Sequence, residues 1–131
     1  MTVRRPSYTH NAVMHEHEDG DSFDVRLDLG RYGTVTIDPI VPLRLAHIDA
    51  PDRERPAERA AASLFVATLL PVGTRLVVTT LKAEKYGRTL AEVQLRDEMV
   101  AGGYVWPPGA DVATALVQLG HAVPYEGGPR A

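Results

Sequence analysis

The apolar residues of this chain run at a period of two for most of its length and switch to helical spacing in two places. Val25, Leu27 and Leu29 alternate with Asp24, Arg26 and Asp28, which reads as a strand with one wet face. Gly30 to Gly33 supplies a turn, and Thr34 to Ile37 reads as the returning strand. Leu43 to Ile48 is a third strand, with Leu43, Leu45 and His47 on one face, Arg44 on the other, and Pro51 as its stop. From Pro56 to Leu70 the period changes: Ala61, Leu64, Phe65, Thr68 and Leu69 fall at helical spacing, Pro56 suits the first turn, and Glu58 favours the positive end of the helix dipole. Pro71 and Gly73 end that element. Thr74 to Leu81 and Arg88 to Leu95 are rich in strand formers and flank a hairpin loop at Lys82–Gly87. The Gly- and Pro-punctuated stretch Ala101 to Ala110 reads as a loop carrying Tyr104 and Trp106. Asp111 is a good N-cap for a second helix through Val112, Ala115, Leu116 and Leu119, closed by Gly120.

Five short strands interrupted by one crossing helix predict an α+β, mainly β fold: a five-stranded barrel of the OB type with two to three helices. The 131 residues amount to one domain's worth of chain, with a core over about residues 11–125 and a mobile tail over 126–131. There are no cysteines, which excludes disulfides, thiolate metal sites and a cysteine nucleophile. No apolar run approaches the ~20 residues of a membrane span. Without a recognisable export signal the expected location is the cytoplasm, and the expected state is a monomer. Fourteen basic against 17 acidic residues leave a net charge of −3, unlike a protein that coats nucleic acid by bulk charge. Twelve of the basic residues are Arg, whose planar fork suits phosphate and carboxylate.

Three short pieces carry candidate chemistry. Asp19-Gly20-Asp21-Ser22 sets two carboxylates in a turn before a strand, which is either a solvated turn or part of a site for a hard cation. Arg44 to Asp52 places an Arg on a strand and Asp49 and Asp52 at its end, either a surface ion pair or a phosphate clamp with a metal ligand and a base. Lys85-Tyr86-Gly87-Arg88 alone is a hairpin turn followed by an Arg. Together they hold the inventory of metal-assisted phosphodiester hydrolysis: ligands for a cation, a base for water, and two cationic forks.

These pieces resemble the staphylococcal (micrococcal) nuclease, or thermonuclease, family. Its signature runs D-G-D-T, R-L-x-x-x-D-x-P-E, K-Y-G-R, then L-V-x-x-G-x-A. This chain has Asp19–Ser22, Arg44–Asp52, Lys85–Arg88 and Leu116–Ala122 in the same order. The resemblance spans about Asp19 to Tyr125 and implies an OB-fold barrel, calcium dependence, and cleavage of DNA or RNA. It implies that Asp21, Asp49 and the carbonyl of Ala50 hold Ca²⁺, that Arg44 and Arg88 stabilise the phosphate, and that Asp19 stands just outside the metal's ligands. Tyr125 corresponds to a tyrosine near the nucleotide or to a packed core residue. The family's general-base Glu is replaced by Asp52, which draws the carboxylate back by ~1.5 Å, one C–C step. Asp52 then acts as the base, or Glu54 does, or the domain is a catalytically silent module that binds nucleic acid or protein. The second departure is the loop Ala101–Ala110, where Tyr104 and Trp106 stack bases or Trp106 plugs a barrel end. His15 and His17 share a strand face without a third ligand, so a solvated strand outweighs a zinc site there. Arg53, Arg55 and Arg59 follow the candidate site, interleaved with Glu54 and Glu58, and either guide a polyanion or pair with one another.

Overall fold

The computed structural model describes residues 8–52, 54–84 and 87–126. Lys85 and Tyr86 of the third motif, Arg53 and the tail from residue 127 lie outside the described residues. Five strands close into a barrel in the order β1 (Tyr8–Asp19), β2 (Ser22–Leu27), β5 (Ile40–Leu45), β8 (Thr89–Leu95) and β7 (Arg75–Ala83). All its pairings are antiparallel except β5 with β8. Helix α1 (Pro56–Leu69) is the crossover between the two halves, and helix α2 (Val112–Gln118) follows the last barrel strand. The mainly β, OB-type expectation therefore holds.

Alternation builds the core. Phe23, Val25 and Leu27 of β2, Leu43 and Leu45 of β5, Leu76 and Val78 of β7, and Ala91, Val93 and Leu95 of β8 all point inward. Helix α1 adds Ala62, Phe65, Val66 and Leu69 at 0, 3, 4 and 7. That stripe is one residue out of phase with the expected one, since Ala61, Leu64 and Thr68 are exposed. Asp111 caps α2 as expected, accepting from the Thr114 backbone N–H at 3.0 Å.

Four expectations are corrected. The solvated strand expected around His15 and His17 is the end of a longer β1, the first barrel strand, and only Ala12 and Met14 of its 12 residues are buried. Thr34–Ile37 is not a barrel strand. It lies in an arm between β2 and β5, where β3 (Arg31–Tyr32) pairs β4 (Val35–Thr36) and the side chains are exposed. The stretch 101–110 is not simply a loop, because β9 (Met99–Ala101) and β10 (Tyr104–Trp106) form a hairpin. Its turn residues Gly102 and Gly103 both take positive φ, 62° and 80°, the requirement of a two-residue hairpin turn. Trp106 is buried there and donates from Nε1 to the Ala101 carbonyl at 3.0 Å, so it serves the core and not a base-stacking platform. Finally, the strand Leu43–Ile48 breaks in two. His47 adopts φ 71°, so β5 ends at Leu45, and β6 (Ile48–Asp49) turns away to pair β11 (Val123–Pro124). His47 is consequently outside the inward face that Leu43 and Leu45 share.

Candidate active site

The two-residue turn between β1 and β2 places Asp19, Gly20 and Asp21 at one end of the barrel. Ser22, the first residue of β2, pairs in register with Arg44 near the end of β5. The break at His47 then brings Asp49 back beside Arg44. The result is that one Arg44 nitrogen, Nη2, stands 3.5 Å from Asp49 Oδ1 and 3.9 Å from Asp21 Oδ2. Both distances exceed the ~2.7–2.9 Å of a charge-assisted hydrogen bond, so the guanidinium is shared and not locked by either acid. All three side chains are at most 18% exposed. Asp21 Oδ2 also accepts from the Ala50 backbone N–H at 3.3 Å, which ties the β1–β2 turn to the segment after β6.

Arg88 enters just before β8 and donates from Nη1 to Ser22 Oγ at 3.0 Å. Ser22 in turn donates to Asp21 Oδ1 at 3.3 Å and is 1% exposed. The serine thus links Arg88 to Asp21 inside the barrel mouth. Asp52 lines the same pocket, about 380 Å³ in volume, together with Asp19, Asp21, Arg44, Asp49, Ala50, Arg59 and Arg88. Its Oδ1 accepts from the Glu54 N–H at 3.0 Å, a short side-chain turn that leaves Oδ2 outside that bond. Glu54, the other candidate base, is not among the residues lining the pocket. A larger groove of about 580 Å³ between the β9–β10 hairpin and α2 is mostly apolar; Tyr104 and Trp106 line it, but none of the candidate catalytic or metal-binding residues does.

A strap from the C-terminal side covers Arg44. The Tyr125 N–H donates to the His47 carbonyl at 2.8 Å, and the Tyr125 ring centre lies 6.0 Å from the Arg44 guanidinium carbon. His47 sits between Glu126 Oε2 at 3.0 Å and Glu92 Oε1 at 3.2 Å. Hydrogen bonding to Glu126 first, and to Glu92 second, favours the imidazolium and raises the His47 pKa above its usual value.

Two residues make more specific contacts than the sequence suggests. Ser22 was read only as the end of a motif, and its burial between Arg88 and Asp21 follows from β2–β5 register. Arg59 is one of the three trailing arginines expected either to guide a polyanion or to belong to a mutually paired surface. It lies in the first turn of α1, lines the pocket, and forms a two-pronged ion pair with Asp19 at 2.9 and 3.1 Å. A helix start facing back onto the β1–β2 turn was the signal, and it needed the topology to be seen.

Asp21, Asp49 and the Ala50 carbonyl are oxygen donors of the kind a hard divalent cation prefers. Calcium takes about six to eight oxygens, so such a set is open to water and substrate. Among the described residues no three His, Asp or Glu side chains converge into a closed metal cage, and His15 and His17 do not form one. Both ring nitrogens of His17 are buried without a hydrogen-bond partner among the described residues.

The family model for staphylococcal nuclease homologues matches residues 42–130. The chain belongs to this family. The match contains Arg44, Asp49, Ala50, Asp52, Arg88 and Tyr125. Asp19 to Ser22 precede it, and the barrel register is what brings them to the rest. No curated protein matches the chain. Among the described residues no helix is long and apolar enough to cross a membrane. Membership of a nuclease family makes action on, or binding of, nucleic acid the class of function to weigh against the pocket.

Proposed function

We propose that this protein is a calcium-dependent phosphodiesterase that hydrolyses DNA or RNA. The observation that carries the reading is the meeting of Asp21, Arg44, Asp49, Asp52 and Arg88, drawn from separate turns and strand ends, around one polar pocket. Asp21, Asp49 and the Ala50 carbonyl would hold Ca²⁺, which when bound supplies positive charge beside the phosphate. Asp52 takes a proton from water on its Oδ2, and the water oxygen attacks phosphorus. Arg44, already poised between two acids, turns its fork to the non-bridging oxygens as negative charge grows on them. Arg88 does the same from the Ser22 side and stabilises the departing oxygen. Tyr125 restrains Arg44 from above and keeps that fork in the pocket.

The test is cleavage of single-stranded DNA and RNA with Ca²⁺ or with chelator. Calcium-dependent cleavage is expected, lost in Arg44→Ala and in Arg88→Ala at unchanged melting temperature. Unchanged rates in both variants would refute the assignment.

One observation favours a second reading, a catalytically silent module that binds nucleic acid or protein. Asp52 is shorter than the family's Glu and spends one oxygen on its own backbone turn. Asp52→Glu separates the two. A rise in rate on the order of 10²-fold is expected if reach alone limits the base. Absence of cleavage in both forms, with salt-sensitive oligonucleotide binding retained, selects the silent module.

A further inference from the structure

The pocket contains one arginine more than the proposed phosphodiester chemistry uses. A phosphodiester has two non-bridging oxygens. In the reading above these face Arg44, Arg88 and a divalent cation, and the pocket holds a further fork to which that reading gives no role. Arg59 supplies that further fork. It rises from α1, not from the barrel, and meets Asp19, whereas Arg44 and Arg88 both meet the Asp21–Ser22 step. Asp19 takes the guanidinium by Nε and Nη2, which fixes its plane and, among the described residues, leaves Nη1 outside any hydrogen bond. The side chain is 42% exposed and lines the pocket.

The geometry points to Arg59 as the binding residue for a second phosphate of the nucleic-acid strand, next to the one that is cut. This rests on the nuclease reading and deepens it: the substrate is a strand with at least two consecutive phosphodiesters, and Arg59 selects for it. Asp19 is the positioning residue that presents Arg59 and is not itself in contact with substrate. A fixed fork also suits phosphate better than a free one, because less rotamer freedom is lost on binding.

The experiment compares wild type, Arg59→Ala and Arg59→Lys on a single-stranded dodecanucleotide and on a dinucleoside monophosphate, which has one phosphodiester only. For Arg59→Ala, KM on the dodecamer should rise about tenfold, the worth of one charge-assisted contact, with kcat within about twofold. On the dinucleoside monophosphate the same variant should match wild type. The slope of log(kcat/KM) against log[salt] should flatten by about 0.7, one single-strand contact, and Arg59→Lys should recover that slope. An equal loss on both substrates, or an unchanged KM and salt slope on the dodecamer, overturns the inference while leaving the nuclease intact. If wild type does not cleave, fluorescence anisotropy of the labelled dodecamer reads the same salt slope: a flatter slope in Arg59→Ala supports the second-phosphate contact, and an equal one removes it. Wild type that neither cleaves nor binds the dodecamer overturns both readings together.

Discussion

Gly20 sits between Asp19 and Asp21, and its missing side chain is what lets the β1–β2 turn lie against helix α1. A Cβ built there would stand 2.9 Å from the Cβ of Ala62 and 3.5 Å from that of Ala50. Gly20 is not among the residues with positive φ, so alanine meets no backbone penalty and the contact alone is tested. By restricting the unfolded chain the same change favours folding by about 0.4–1 kcal/mol. Neither methyl can rotate away. Carbon atoms rest at ~3.5–4.0 Å, so turn and helix must part by about 0.6–1 Å in Gly20→Ala. Overpacking of that kind costs about 1–3 kcal/mol, which in a chain of this size lowers Tm by roughly 3–12 °C. The larger effect falls on the site. Moving Asp21 by ~1 Å relative to Asp49 and Asp52 should cut the cleavage rate on the order of 10²-fold. Gly20→Ala combined with Ala62→Gly removes the clash. The pair should recover the rate but not all the stability, because glycine inside a helix costs about 1 kcal/mol. The assay is single-strand cleavage with Ca²⁺ beside thermal unfolding, run as a double-mutant cycle. A Gly20→Ala protein as stable and as fast as wild type would show that the turn does not lean on α1, and would refute the steric coupling.

The hairpin glycines give a matched pair for chemical denaturation. At Gly102 a Cβ would lie 2.6 Å from Leu119 Cδ1 and 3.0 Å from Phe65 Cε1, so Gly102→Ala combines a left-handed backbone with overpacking and should cost about 2–4 kcal/mol. Gly103→Ala has the same backbone sign and open space, and should cost only ~1 kcal/mol. Asp49→Asn removes a proposed ligand charge and should weaken calcium binding by at least about tenfold in isothermal titration, with Arg44 still paired to Asp21. The fourth prediction concerns pH. Hydrogen bonding to Arg75 holds the Asp97 carboxyl below its usual 3.8, so its stabilisation is present above that value and lost as pH falls through the lowered one. Asp97→Asn should therefore lower Tm at neutral pH and low salt, and the difference from wild type should vanish in strong acid.

The sequence makes the fold class legible because the barrel depends on alternation, and alternation survives in β2, β5, β7 and β8. It fails at β1, where Asn11, Glu16 and Glu18 are exposed and bulges between Met14 and Glu16 and between His17 and Asp19 shift the register. A strand that bends around a barrel mouth does not keep a clean period. The arm at residues 28–39 fails in the opposite way. Val35 and Ile37 look like a strand, yet both are exposed, because they stand beyond the last barrel pairing between Arg26 and Ile40.

The candidate site divides along a similar line. Arg44, Asp49 and Asp52 lie within nine residues, and one strand end with the turn after it brings them together. Asp21 and Arg88 come from elsewhere in the chain, and only the family motif suggested that they meet there. What neither spacing nor motif showed is the contribution of α1. Arg59 is seven residues after Asp52, and on a bare sequence its neighbours Arg55 and Glu58 make it one more charge on a wet helix face. Its direction is set by Gly20, because only a bare turn allows α1 to approach closely enough for Asp19 to grip the guanidinium in its first turn. The same glycine therefore fixes the place of the proposed calcium ligands and of the third arginine. If the coupling is real, Gly20→Ala should injure both the calcium-dependent rate and the preference for a longer strand, whereas Arg59→Ala should injure the preference alone.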